Sequence, residues 1–311
     1  MITDRTYNRF FVTFLFLGAL LMISSCSTEE KFDEEVWRSE VESWHSERID
    51  ELQQYDGWLS LAGFFWLKEG RESFGGSSDS DHHFDLEREI PGRLGWLEVD
   101  EEFVYLEADP DVELLADGEP VESRTLVFSP EMEDPVEMEW GDYYWYIIER
   151  SGEYAIRLRD KQHPRIAAFE GIDRYPVSAD WRVTAEFKPF DEPVILTIPN
   201  YIGEPSQESI LGVLEFDIGG DTHHLYPVAD NLEERFFLIF ADQTNGSTTY
   251  SAGRFVYTDP PDENNRVIID FNRSYNPPCV FSEYATCPLP PPENRLPVKI
   301  TAGEFDYEPV L

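Results

Sequence analysis

Charged and amide side chains are concentrated in the last third of the chain, beside three predicted strands and a proline-rich segment. In such a set, an arginine can hold the anionic or carbonyl group of a substrate while a carboxylate acts as a general base. The candidate catalytic residues are Asp242, Arg254, Asp270 and Arg295. The candidate ligand-binding residues around them are Thr244, Tyr250, Asn272, Tyr275, Asn276, Glu293 and Asn294. This chemistry would be that of a hydrolase-like enzyme.

The same residues also fit a buried polar network without catalysis, which is the interpretation that we favour. Arginine–aspartate pairs and asparagine side chains commonly satisfy backbone groups of loops that no strand ladder reaches. The two interpretations differ in geometry. An enzyme requires the four catalytic candidates to converge on an open pocket with a perturbed carboxylate, whereas a network requires them to be buried and paired.

Two cysteines in the proline-rich segment have a spacing that predicts a disulfide. Cys279 and Cys287 enclose seven residues. Outside the cytoplasm such a pair commonly forms a bond, which stabilises a short closed loop by about 2–3 kcal/mol. Buried free thiols, metal ligation and a nucleophilic Cys279 are the alternatives. Metal ligation lacks a CxxC spacing and a nearby histidine, and a nucleophile lacks a neighbouring base.

The sequence predicts no metal site and no cofactor. His223 and His224 lie among acidic residues, as do His82 and His83. Neighbouring side chains on a strand point to opposite faces, so such a pair cannot ligate one ion. The chain also contains no glycine-rich phosphate loop, no G-x-S-x-G motif and no spaced calcium loop.

The chain after Gly57 consists of short β-branched and aromatic runs separated by turn residues, which is the pattern of β-strands. We therefore expect strands to position the polar residues. The predicted strands are residues 112–115 and 120–121, 143–150 and 153–160, 211–218 and 222–228, and then 235–241, 249–257 and 266–271. Strands and helices do not alternate, so the pattern predicts an all-β fold of sandwich or barrel type. The predicted regions are an N-terminal β region, 57–165, and a C-terminal β region, 166–311, with a proline-rich, cysteine-containing loop at 272–297.

Residues 32–56 are predicted to form one amphipathic helix before the strands. Apolar positions recur there every three or four residues, which is typical of a helix that packs on its own domain. The apolar stripe consists of Phe32, Val36, Trp37, Val41, Trp44, the stem of Arg48, Leu52 and Tyr55. The opposite face is acidic, whereas helices that lie on membranes are basic there.

The first residues have the pattern of a cleaved export signal, residues 1–25. A basic start precedes an apolar run, 10–23, which is too short to cross a bilayer as a helix. The sequence Ser24-Ser25-Cys26 resembles the lipobox of bacterial lipoproteins, which implies a lipid on Cys26 and a short tether over 26–31. By the same resemblance, Ser27 after the cysteine implies the outer membrane, on its periplasmic or external side.

The composition is strongly acidic, with 63 acidic against 24 basic residues and a net charge of −39. Such a chain repels nucleic acid, because basic side chains are what neutralise phosphate. The aromatic content of 14% and the hydrophobic content of 41% are ample for a packed core. Adaptation to salt explains the charge more simply than calcium binding does, since no calcium loop is present.

Four motifs carry a family resemblance: the aromatic motif at residues 57–67, the strand and turn at 236–246, and the proline- and cysteine-bearing stretches at 270–279 and 284–296. With these motifs, the chain resembles the family known as domain of unknown function 1684 over about residues 37–306. The resemblance implies no particular activity, substrate or cofactor.

A weaker resemblance concerns residues 68–121, whose glycine, phenylalanine and aspartate spacing is similar in outline to forkhead-associated β-sandwiches. It implies a β-sandwich in the N-terminal half. Those modules bind phosphothreonine through an arginine after the first glycine pair and a Ser-Arg-x-x-His motif. Gly76 stands where that arginine belongs and the motif is absent, so phosphopeptide binding is not predicted.

The sequence therefore favours a lipid-anchored binding or structural β module on the outer membrane, without a nucleic-acid partner. The alternative is a hydrolase-like enzyme that uses the aspartates and arginines of the C-terminal motif. The ligand, any protein partner and the oligomeric state are not predicted.

Overall fold

The computed structural model describes residues 32–150, 152–201 and 205–308. The predicted signal peptide, the lipidation site Cys26 and the tether lie outside these residues. No helix in the described part of the chain combines the length and the apolar character that a membrane span requires.

Strands dominate the described residues, which confirms the predicted all-β class. The α-helices are α1, Glu34–Leu52, and α2, Pro164–Ala168. The strands of the first half are β1 Leu61–Trp66, β2 Gly70–Gly75, β3 His82–His83, β4 Gly95–Asp100, β5 Phe103–Ala108, β6 Leu115–Ala116, β7 Glu119–Pro120, β8 Thr125–Phe128, β9 Met138–Trp140, β10 Tyr143–Arg150 and β11 Glu153–Asp160. Those of the second half are β12 Arg182–Ile198, β13 Ser206–Ile218, β14 Asp221–Leu225, β15 Phe236–Phe240, β16 Arg254–Thr258 and β17 Arg266–Asp270.

The N-terminal strands form a sandwich of two sheets, as expected for this half. Among the described residues, one sheet has the order β1-β11-β10-β9-β6-β7 and the other the order β3-β2-β4-β5-β8. Alternation along the strands directs Trp145 and Leu158 into the core, where Trp145 meets Phe74 of the facing sheet edge-on at 5.4 Å. Arg157 and Arg159 alternate with these core residues, so they lie on the outer face of the first sheet.

The C-terminal strands enclose a second core. A sheet of order β14-β13-β12-β17 and the hairpin β15–β16 pack around it. The rings of Phe216 and Phe240 both pack against Phe271, with centroids 5.9 and 5.4 Å away. The opposite face of the hairpin carries Phe237 and Tyr257, which are cross-strand partners. These two rings point away from the core.

Helix α1 lies inside the predicted range 32–56, but it begins two residues later, at Glu34, and ends four residues earlier, at Leu52. The Asp33 side chain caps it by accepting the backbone N–H groups of Glu35 and Val36 at 3.1 and 3.2 Å. The helix buries one face against the C-terminal half, through Trp37, Val41 and Leu52. Three positions of the predicted stripe are instead exposed: Phe32, Val36 and Tyr55.

The predicted strands agree best with the structure where the turn between them is short. The hairpin predicted at 143–150 and 153–160 has those bounds as β10 and β11. Strand β16 starts at Arg254 and not at residue 249, because the segment between them is a turn in which Asn245 donates to the carbonyl oxygen of Tyr250 at 2.6 Å. The 17-residue strand β12 was not predicted, since its prolines break the strand pattern and coincide with a register shift after Pro189.

Candidate functional site

Arg254 and Asp242 form an ion pair inside the C-terminal core. The Nη2 atom of Arg254 lies 2.8 Å from Oδ2 of Asp242, and neither side chain is exposed. Arg254 also donates to the carbonyl oxygens of Ala302 and Ile300. Oδ1 of Asp242 accepts the backbone N–H groups of Thr244 at 2.8 Å and Ile300 at 3.2 Å. The pair therefore joins β16 to the last segment of the chain and is closed to solvent.

Asp270, at the end of β17, connects helix α1 to the sheet. Its Oδ2 accepts the indole N–H of Trp37 at 2.7 Å, and its Oδ1 accepts the side-chain amide of Asn272 at 2.8 Å. Asn272 in turn bonds both backbone groups of Ser178, at 2.9 and 3.0 Å. Both carboxylate oxygens of Asp270 therefore accept hydrogen bonds from the protein itself.

Two more of the predicted ligand-binding residues satisfy buried groups of the protein itself. Asn294 accepts the N–H of Tyr226 at 2.8 Å and donates to the carbonyl oxygens of Tyr226 and Ile239, both at 3.0 Å. The Thr244 hydroxyl lies 2.8 Å from that of Thr249. Such partners are those expected of a structural network.

The four catalytic candidates do not meet in one pocket. Arg295 is exposed and its Nη2 lies 3.3 Å from the carbonyl oxygen of Pro290, while Glu293 is also exposed. Asp242 and Arg254 are enclosed, and Asp270 contacts Trp37 at a different place. The geometry fits the polar network for the three buried residues, and Arg295 belongs to no cluster with them.

The carboxylate of Glu304 is buried as well, although the sequence did not single it out. Its Oε2 accepts the backbone N–H of Asn276 at 2.7 Å and lies 3.3 Å from Nη2 of Arg48. Arg48 also donates to the carbonyl oxygen of Asn276 at 2.9 Å, and its guanidinium carbon lies 4.4 Å from the ring centroid of Tyr275. Glu304 therefore anchors Arg48 of α1 beside the proline-rich loop.

Cys279 and Cys287 are free thiols, which corrects the predicted disulfide. Sγ of Cys287 accepts the backbone N–H of Cys279 at 3.0 Å, and Cys287 is buried against Leu61 and Ala285. Hydrogen bonding between the two thiols lowers the pKa of Cys279 and raises that of Cys287. Packing and hydrogen bonds thus order the loop without a covalent link.

A cleft of 840 Å³ opens between α1, the outer face of β15–β16, the end of β10 and the proline-rich loop. Its volume lies within the range of roughly 300–1,000 Å³ that is usual for small-molecule sites. The lining residues are Trp44, Arg48, Glu51, Trp58, Arg150, Arg235, Phe237, Phe255, Tyr257, Asp259, Arg273, Tyr275, Pro278, Thr286 and Pro288. Of the site residues predicted from sequence, Tyr275 alone appears in this lining.

Aromatic rings form one wall of the cleft. Phe237 and Tyr257 stack with centroids 4.8 Å apart, and Tyr257 stacks with Tyr275 at 6.5 Å. Trp44 packs against Tyr275 at 6.3 Å from the side of α1. Burial raises the pKa of Tyr275, so its hydroxyl stays protonated at neutral pH. The row forms an apolar wall along which a ring can pack.

The four arginines of the cleft differ in their partners. Arg48 is paired with Glu304, and Arg273 has only distant carboxylates, with Asp270 at 3.8 Å. Arg150 and Arg235 have no ion-pair partner among the residues that the structure describes, and Arg235 lies 4.9 Å from the ring centroid of Tyr257. One feature of the sequence points to these two residues: Arg150 and Arg235 stand at the ends of predicted strands in a chain poor in basic residues.

A second depression, of 540 Å³, lies on the N-terminal sandwich but offers less to a ligand. Its lining includes Ser73, Asp79, Arg93 and Asp109. Arg93 is already paired with Asp109 at 2.7 Å. The aromatic cleft is therefore the candidate functional site.

The fold and the site define an all-β protein that carries a ligand-sized cleft lined by arginines and aromatic rings. Residues 167–305 match the sequence profile of the family described as "Protein of unknown function (DUF1684)". This match confirms the resemblance found in the C-terminal motifs.

Comparison with other proteins adds no activity. No curated protein matches the chain. Among solved structures, the chain is similar to the solution NMR structure of an uncharacterised protein from Haloarcula marismortui. The two are 28% identical, the match covers 44% of this chain and 77% of the other, and the TM-score is 0.38.

Proposed function

We propose that this protein is a binding module, and that the aromatic cleft takes a small anionic ligand with a flat ring. One observation carries the proposal. Four arginines and six aromatic side chains line a single cleft in a chain whose net charge is −39. Two of the arginines, Arg150 and Arg235, are free of carboxylate partners among the described residues, which leaves them available to an anion.

Electrostatics and packing both support an anionic ring compound. The acidic surface repels anions at long range, so a local group of arginines is needed to hold one. Arginine and aromatic residues are also the side chains that contribute most to binding energy in interfaces. A flat ring can pack against the wall formed by Phe237, Tyr257 and Tyr275 while its charged group contacts an arginine.

Hydrolysis is less well supported than binding. None of Asp242, Arg254 and Asp270 lines the cleft, and Arg295 lies elsewhere on the surface. The acidic residues that do line it are Glu51 and Asp259.

Binding of matched probes to the full chain, purified in a nonionic detergent, tests the proposal by isothermal titration calorimetry. We expect naphthoate to bind at least tenfold more tightly than neutral naphthalenemethanol, because a charge-assisted hydrogen bond contributes about 1.5–3 kcal/mol. Arg235→Ala is expected to weaken naphthoate binding. Arg71→Ala removes an exposed arginine that pairs with Glu107 outside the cleft, and it should leave binding unchanged. Equal affinity for the two probes, or no binding of naphthoate, would refute the anionic ligand.

We also propose that the protein is an exported lipoprotein of the outer membrane, tethered through Cys26. The support is the signal pattern and the lipobox-like Ser24-Ser25-Cys26. Cells grown with a clickable fatty acid should label the wild-type chain and not Cys26→Ala. Equal labelling of the two chains contradicts the anchor.

A further inference from the structure

A buried arginine lies directly behind the wall of the aromatic cleft. Arg157 on β11 is 6% exposed, and its Nε has no hydrogen-bond partner among the residues that the structure describes. Its Nη2 donates to the Thr286 hydroxyl at 3.2 Å, and its guanidinium carbon lies 5.5 Å from the ring centroid of Trp58. Thr286 and Trp58 both line the cleft. The guanidinium is therefore aimed at the cleft from the outer face of the N-terminal sheet.

Arg157 lacks a negative partner in the described part of the chain. Burial lowers the pKa of its guanidinium, the Tyr146 hydroxyl opposes this by hydrogen bonding, and the positive charges of Arg150 and Arg159 lower the pKa further. A buried charge without a counter-charge is strongly destabilising. Attraction to an anion is also stronger here than at the surface, because little water screens it. An anion that enters the cleft would compensate this charge.

We infer that Arg157 and Thr286 together form the receptor for the charged group of the ligand, and that this group is a carboxylate. The inference rests on the proposed function of the cleft. The Thr286 oxygen accepts from Arg157, so its own O–H remains free to donate to an oxygen in the cleft. The carboxylate would then lie at the Thr286 end, and the ring of the ligand would lie along Phe237, Tyr257 and Tyr275.

A single negative charge suits this receptor better than a double one. One buried guanidinium neutralises one charge. Arg150 and Arg235 are exposed, so water and salt screen their contribution. A phosphate monoester, which carries nearly two charges at neutral pH, would keep an excess negative charge inside a strongly acidic protein.

Two substitutions in the full chain separate the receptor from the rest of the cleft. Thr286→Val keeps the side-chain shape and removes the hydroxyl, and we expect it to weaken naphthoate binding about tenfold while leaving naphthalenemethanol unchanged. Thr286→Ser retains the hydroxyl and should bind naphthoate like the wild type. Arg157→Met should weaken naphthoate binding more than Thr286→Val does. It should also raise the melting temperature of the ligand-free protein, because it removes a buried unpaired charge.

The outcomes distinguish this inference from the proposed function. Failure of the wild type to bind naphthoate contradicts the proposed function and this inference with it. Wild-type affinity of Thr286→Val for naphthoate contradicts the receptor alone. Tighter binding of naphthyl phosphate than of naphthoate overturns the carboxylate. If Arg157→Met does not fold, the comparison of Thr286→Val with Thr286→Ser still tests whether the charged group of the ligand binds at Thr286.

Discussion

Replacement of Arg254 by alanine is expected to lower the free energy of unfolding by about 3–5 kcal/mol, because it leaves the Asp242 carboxylate buried without its counter-charge. It also removes the donors that satisfy the carbonyl oxygens of Ala302 and Ile300. A loss of this size approaches the whole stability of a marginal domain. Urea denaturation followed by circular dichroism measures it.

Two control experiments test whether the loss of stability in Arg254→Ala comes from the unpaired, buried Asp242 carboxylate. Arg124→Ala breaks an exposed pair with Glu98 at 2.9 Å and should change the free energy of unfolding by less than about 1 kcal/mol. Joint replacement by Arg254→Met and Asp242→Leu removes both charges and should recover much of the lost stability. A stable, folded Arg254→Ala chain that no longer binds ligand would instead indicate that this ion pair belongs to a functional site.

Replacement of Glu304 by alanine is expected to have the next largest effect, about 3 kcal/mol, because it unpairs Arg48 and the backbone N–H of Asn276 in a buried place. The change should also weaken naphthoate binding, since Arg48 loses the contact that fixes it in the cleft wall. Chemical denaturation and calorimetric titration measure the two effects.

The matched control for Glu304 is Glu42, which is 61% exposed and pairs with Arg174. Glu42→Ala should cost less than about 1 kcal/mol and leave naphthoate binding unchanged. Glu304→Gln keeps the shape and some hydrogen bonds, so an intermediate stability is expected. If Glu304→Ala and Glu42→Ala are equally stable, the anchoring role of Glu304 is wrong.

Local patterns predicted the elements that are defined by near neighbours in the chain. The three-to-four-residue recurrence around Trp37 and Val41 predicted α1, and the alternation on both sides of Gly152 predicted β10 and β11. The density of charges around Arg254 likewise predicted a polar network. These features need no knowledge of distant contacts.

The cleft could not be predicted in this way. Its wall combines residues as far apart in the chain as Trp44 and Pro288. Arg157 alternates with core residues on β11, which is the ordinary position of a surface arginine. Thr286 of the proline-rich loop and the Trp58 ring cover that surface and make it part of the interior. No residue spacing in the sequence indicates that the proline-rich loop folds over β11.

The matched family segment begins at residue 167, yet Arg48, Trp58 and Arg150 precede it. Each half of the chain thus supplies only part of the cleft lining. On the proposed function, ligand preference can therefore change through substitutions in the first half while the second half keeps its shape. A protein that carried the second half alone would present Phe237 and Tyr257 to water as an open apolar strip.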